Sequence, residues 1–218
     1  MANPLEAFPI WARELSEKYY SRTISMFVLH GNVRDLVAWK RPASTEFPPL
    51  QRFLKEALFG QRDLVISYDR GGGLSFATPD MKADFDRALA GYDSFHGTTL
   101  SRGLPRNPDG VLSLLDNYLR LRILDHKKIA LIVDFAETIV PAEDRNSLVI
   151  LKSWAQNPGV ASIRIPLPDE TERLDVIAAQ PASTGSEVTP AALAKPSAGP
   201  KRVQLLSLIA DSVENQRP

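Results

Sequence analysis

Asp134 is the residue whose type and place most invite chemistry. It follows Ile129-Ala130-Leu131-Ile132-Val133, an apolar run without a break. A run so short and so rich in Ile and Val predicts a central strand, buried on both faces. A carboxylate at the carboxyl end of such a strand stands where open α/β sheets bind ligands. There it can hold Mg²⁺ through water and so help to bind a phosphate. The plain alternative is a polar residue that ends a strand. A second group is His30-Gly31-Asn32-Val33-Arg34-Asp35, which closes the mostly apolar run 24–29. A strand ending in a glycine turn is where a phosphate-binding loop would sit. Such a loop needs several glycines, a Lys and a Ser or Thr; this turn has one glycine, no lysine and no hydroxyl. His30 could hydrogen-bond a ligand, although a His at a strand end is more often a satisfied structural group. A third group, Asp69-Arg70-Gly71-Gly72-Gly73, follows the apolar run 64–68. Three glycines could form a backbone nest for a phosphate. No Lys-Ser/Thr pair follows, and Leu74-Ser75-Phe76 reads as extended, so a flexible turn is the better reading.

The elements that must position these residues follow from periodicity. Leu5, Phe8, Ala12, Leu15 and Tyr19 mark one face of a leading helix over 5–20, with Pro9 tolerable only near its start. Residues 40–49 read as a loop, and Pro48-Pro49 leads into a helix through Leu58. Thr78-Pro79-Asp80 opens a helix with a hydroxyl cap, a first-position Pro and a first-turn acid. Asn107-Pro108-Asp109 starts another, and Glu143-Asp144 a third that Asn157-Pro158-Gly159 breaks. Residues 162–167 alternate and run into Pro166 and Pro168, the pattern of an edge strand. Asp169 and Glu172 form a capping box for the next helix. Residues 180–187 read as a linker, Thr189-Pro190 starts a short helix, and Val203, Leu206, Ile209 and Val213 mark a last amphipathic helix. Alternating strands and helices predict an α/β fold: a mostly parallel sheet with helices on both faces and a small helical tail. Strands near 24–29, 63–68, 128–134 and 160–166 are expected in one sheet. The core is expected over 1–180, with linker and tail over 181–218.

Composition bounds the function. Lys plus Arg equals Asp plus Glu, 26 of each, so the formal net charge is zero. That leaves no global field for nucleic acid or an anionic membrane. There is no Cys, which excludes disulfides, zinc thiolates and thiol catalysis. No signal peptide and no membrane-length apolar run is found, and a cytoplasmic protein is expected.

Several segments together resemble the AAA+ ATPase superfamily. Residues 129–134 resemble its Walker B strand. Ser162-Ile163-Arg164-Ile165-Pro166-Leu167-Pro168-Asp169, with Arg173, resembles the last core strand and the Pro-Asp-x-x-x-Arg start of the following helix. Leu193-Ala194, Gly199 and Val203-Gln204-Leu205 resemble the helical lid. His30-Gly31-Asn32-Val33, Tyr68-Asp69-Arg70 and Gly91-Tyr92-Asp93 resemble the first, degenerate module of bacterial proteins with two AAA+ modules, in which the second module carries the working Walker A. The resemblance implies a P-loop-NTPase-like sheet with a lid-like tail. It names His30, Gly31, Asn32 and Asp134 as candidate nucleotide contacts, with ATP and Mg²⁺ as the cofactors to test.

The departures define the expected function. No Gly-x-x-x-x-Gly-Lys-Ser/Thr occurs, and Phe135 stands where the family places its catalytic glutamate, with Glu137 two residues further on. The family's sensor strand, between the helix after Walker B and the last core strand, has no counterpart around Asn157-Pro158-Gly159. The strand near 160–166 must then pair with 128–134 or leave a position unpaired. The chain reads as a shortened relative of a first module. The expected function is a non-catalytic AAA+-like module for assembly or regulation, inactive alone, with self-association or another AAA+ module as its partner. The alternatives are an ATP-binding or weakly hydrolysing module, and a Mg²⁺-dependent phosphohydrolase using Asp69 and Asp134.

Overall fold

The computed structural model describes residues 7–21, 24–41, 44–105, 107–134, 160–179, 199 and 201–214. The expected helices near 143–155 and 189–193, and the expected boundary at residue 180, lie outside them. The chain divides into two compact units. Unit 1 comprises Met1–Phe53 and Gly159–Pro218, and unit 2 comprises Leu54–Pro158.

Unit 1 begins with α1 (Ile10–Tyr20), which starts later than the periodicity from Leu5 predicts. Pro9 sets the boundary. It lacks an N–H, sits extended as the N-cap, and its carbonyl accepts from Ala12 and Arg13 N–H at 2.9 and 3.1 Å. Trp11, Ala12, Leu15 and Ser16 form the buried side of this helix. β1 (Met26–Gly31) follows, and the expected loop at 40–49 holds a short antiparallel pair, β2 (Trp39–Lys40) with β3 (Thr45–Glu46). α2 (Leu50–Phe53) buries Phe53 completely. The rings of Phe8, Trp11 and Trp39 meet that of Phe53 at 5.4, 5.8 and 6.3 Å, all near edge-on, the geometry that aromatic quadrupoles favour.

The helical segment continues past Phe53 as a π-helical turn, Leu54–Leu58, in unit 2. β4 (Leu64–Asp69) turns back through Gly71–Gly72 into β5 (Gly73–Phe76). α3 (Pro79–His96) has the predicted cap: Thr78 Oγ1 accepts from Met81 N–H, and Gly97 ends the helix in the left-handed region. α4 (Pro108–Leu124) leads to β6 (Ile129–Val133). Leu64, Ile66 and Tyr68 alternate onto one face of β4 and pack with Phe85 and Leu89 of α3 and with Val111, Leu112, Leu115, Tyr118 and Leu119 of α4. On the opposite face of β4, Val65 and Ser67 are also buried.

Unit 1 is completed by β7 (Val160–Ile165), α5 (Glu170–Ala178) and α6 (Arg202–Glu214). β7 pairs in parallel with β1, from Met26 opposite Val160 to Gly31 opposite Ile165. Ala161, Ile163 and Ile165 are buried while Ser162 and Arg164 are exposed, which is the predicted alternation. The capping box is present: Asp169 accepts from Glu172 N–H at 2.8 Å, and Glu172 accepts from Asp169 N–H at 3.1 Å.

The fold is α/β with parallel pairing, as expected, but two details of the sheet are corrected. The described ladders are separate: β1-β7, β2-β3 and β5-β4-β6. Among the described residues β6 has a strand on one side only. It pairs in parallel with β4 and is half-buried over most of its length, while β4 is the strand buried along its run. β7 takes β1 rather than β6 as its partner. The alternating pattern of β7 suits β1, whose Val28 and His30 are likewise exposed and stand opposite Ser162 and Arg164.

Candidate functional site

The carboxyl end of β1 brings His30, Gly31 and Asn32 to one turn. His30 is exposed. Gly31 has φ +90°, and a Cβ there would lie 2.6 Å from the Ile165 carbonyl oxygen. Its glycine character is thus used for close approach to the backbone of β7. Asn32 N–H donates to the same Ile165 oxygen at 2.9 Å, and Asn32 Nδ2 donates to Pro166 O at 3.4 Å. These two donors are directed at the protein, not outward. The chain then runs through Asp35 to an isolated bridge between Leu36 and Pro49 and on to β2, so no helix begins at this turn.

Asp35 is the residue that sequence reasoning missed here. Its side chain is 1% exposed. It accepts from Asn32 Nδ2 at 2.8 Å, from Arg202 N–H at 3.0 Å and from Val203 N–H at 3.0 Å. The last two are main-chain donors at the amino end of α6, which carry partial positive charge and lack partners within the helix. The Arg202 guanidinium lies 3.8 Å from Asp35, 2.7 Å from Glu172 Oε1 and donates to Leu36 O at 3.1 Å. The Arg202 cation is thus flanked by two acids. The sequence signal was present in Asp35, three residues after Asn32, and in Arg202 at the head of an amphipathic segment.

In unit 2, Asp134 N–H donates to Tyr68 O at 2.9 Å and extends the β4–β6 ladder by one residue. Asp134 is half-buried. Asp69 stands at the same end of neighbouring β4, where its Oδ1 accepts from Gly71 and Gly72 N–H. The glycine run therefore forms a tight acid-closed turn between β4 and β5, as the turn reading expected. Among the described residues no group of three or more His, Asp or Glu side chains could hold a metal ion.

Two further polar groups of unit 2 are legible only in three dimensions. Lys55 Nζ donates to Ser75 Oγ at 2.7 Å, which lies 2.7 Å from the buried Ser67 Oγ. Burial lowers the Lys55 pKa, opposed by the charges of Asp69 and Glu56. Asp93, near the end of α3, gathers the following loop: it accepts from Thr98 Oγ1 and from the N–H groups of Leu100 and Ser101. Burial alone would raise its pKa. The hydrogen bonds from Ser101, Thr98 and Leu100 outweigh that and hold it far below the usual carboxylate range. A concavity of about 300 Å³ lies beside Asp63, Thr78, Asp80, Asp84 and Arg122. Within it Arg122 pairs with Asp84 and Asp125, and Asp63 accepts from Lys128 N–H.

No helix among the described residues is long and apolar enough to cross a membrane. No curated protein and no solved structure matches the chain. A family model described as "AAA+ chaperone, N-terminal Rossmann-like domain" matches residues 2–177. That span takes in β1 and its turn, all described elements of unit 2, and β7 with nearly all of α5. The chain belongs to this family of AAA+ chaperone N-terminal domains.

Proposed function

We propose that this chain is a non-catalytic module of an ATP-dependent, chaperone-like AAA+ machine in the cytoplasm, acting in assembly or regulation. The observation that carries this reading is the buried Asp35 carboxylate beside the β1 turn. A phosphate site at a strand end needs converging donors and a cation. Here the side-chain amide and main-chain N–H of Asn32 are engaged by protein acceptors, and Arg202 is paired with Asp35 and Glu172. No P-loop lysine occurs in the sequence, and Phe135 cannot polarise a water. The partner in this reading is a catalytic AAA+ module on another chain, or a second copy of this one. Neither nucleic acid nor a membrane has a part in it.

Calorimetry with ATP and Mg²⁺ tests the reading, together with a phosphate-release assay. The expected result is no saturable heat and no hydrolysis above the blank. The competing candidates are His30, Gly31 and Asn32 in unit 1, and Asp134 in unit 2, holding Mg²⁺ through water. Mg²⁺-dependent hydrolysis that Asp134→Ala abolishes would overturn the non-catalytic assignment. Light scattering across a concentration series, with and without ATP-Mg²⁺, tests association. A strict monomer in both conditions would remove the support for self-assembly.

A further inference from the structure

The amino end of α6 has the chemistry of an oxyanion site. Two main-chain N–H groups, those of Arg202 and Val203, point at one carboxylate, and each reaches a different oxygen at 3.0 Å. A side-chain amide, Asn32 Nδ2, completes the set at 2.8 Å. A guanidinium that is 5% exposed stands beside them. Helix amino ends bind anions because unpaired N–H groups and the helix dipole act together. The anion held here belongs to the chain itself and arrives from a position 167 residues away.

We propose that the amino end of α6 with Arg202 is an oxyanion pocket whose resident is Asp35, and that α6 is a strap closed over the β1 turn by this internal carboxylate. The strap does not depend on whether nucleotide binds elsewhere in the chain, so it goes beyond the proposed function. Three features support it. The contact is polar and buried, so neutralising Asp35 would leave Arg202 as a nearly buried cation with Glu172 as its remaining acid. The cluster also contains two polar atoms without hydrogen-bond partners, Asn32 Oδ1 and Arg202 Nε. Buried polar groups left unpaired carry a desolvation cost, so they weaken the closed state. Finally, α6 packs on α5, and Glu172 of α5 holds the same guanidinium, so release at Asp35 loosens both ends of one arrangement.

The test is hydrogen exchange, read by mass spectrometry on the full chain, comparing peptides from 202–214 with peptides from β1, β7 and unit 2. In Asp35→Ala, exchange in 202–214 should rise by between about tenfold, the effect of losing a cap, and about a thousandfold, the effect of breaking a buried pair. Unit 2 peptides should stay at the wild-type rate. Added formate should then restore protection of 202–214 in Asp35→Ala, while wild type should not respond to it. Rescue by an external anion separates an oxyanion pocket from loss of packing, because packing loss is not repaired by formate. If Asp35→Ala does not fold, Arg202→Gln keeps the proposal open to test. It leaves the main-chain cap and should speed exchange in 202–214 by a smaller factor than full opening. Unchanged exchange in 202–214 in the folded variants, or faster exchange in Asp35→Ala that formate does not reverse, overturns the proposal.

Discussion

Replacing Gly31 by Ala puts a single methyl group against the backbone of β7, and the structure allows its cost to be worked out. Gly31 has φ +90°, a conformation that costs an L-residue about 1–2 kcal/mol. The new Cβ would lie 2.6 Å from the Ile165 carbonyl oxygen, well inside van der Waals contact. The clash is with backbone, which cannot swing away as a flexible side chain does. Relieving it forces β1 and β7 apart at the end of their ladder, an overpacking cost of about 1–3 kcal/mol. The same movement lengthens the Asn32 N–H to Ile165 O bond, now 2.9 Å, and forfeits about 1 kcal/mol. The total is about 3–6 kcal/mol, a large part of the roughly 5–15 kcal/mol that holds an ordinary domain together.

Urea unfolding measures it. Trp11 and Trp39 both belong to unit 1, so their emission in a Trp154→Phe background reports this unit. The control is Gly91→Ala. Gly91 lies inside α3, exposed, and a Cβ there would meet nothing within 4 Å. That change should leave unit 1 alone and raise the stability of unit 2 by about 0.5–1 kcal/mol through helix propensity. A Gly31→Ala variant within about 1 kcal/mol of wild type would refute the reasoning, because the three costs together start at about 3 kcal/mol.

Two further outcomes concern unit 2. Phe85→Ala should destabilise it by about 3–5 kcal/mol in chemical denaturation, since Phe85 is 2% exposed and its ring meets those of Phe76 and Tyr118 at 5.1 and 4.9 Å. Asp93→Asn should change the acid limb of stability. The folded-state pKa of Asp93 is depressed, so the stability it contributes is present above its unfolded value of about 4 and is lost as pH falls through the folded value. The variant should be less stable than wild type at neutral pH, and the gap should close on acidification below about pH 4. A gap that is constant with pH would show that the carboxylate charge is not what holds residues 98–101.

How much of this was legible in the sequence depends on whether the deciding contact is local. The start of α3 was readable because Thr78, Pro79 and Asp80 act within one turn, and the capping box of α5 because Asp169 and Glu172 are three residues apart. Three of the four principal strands were readable from apolar runs and β7 from its alternation. Their arrangement was not. Ile129–Val133 has the composition of a central strand, yet a strand's position depends on who pairs with it, and here β4 holds the middle because the Gly71–Gly72 turn supplies β5 as a second neighbour. The start of α1 was misjudged because the periodicity of Leu5 and Phe8 continues through Pro9, whereas the backbone cannot.

The β1 turn shows the same limit for chemistry. A glycine after a strand reads as room for a ligand, and nothing local marks Asp35 for burial. In the folded chain the glycine makes room for Ile165, and the acid is buried against a helix amino end from the far end of the sequence. The electrostatic consequence can be stated in magnitude. Two unit charges 4 Å apart repel by about 4 kcal/mol at the effective dielectric constant of roughly 20 that suits protein sites. A phosphate seated beside Asp35 would meet repulsion of that order for each of its charges, with Arg202 already shared between two carboxylates. A phosphate site at this turn would need the acid removed as well as a lysine gained. Adding a lysine to the turn while Asp35 remains would give the new cation an acid to pair with before any ligand arrived.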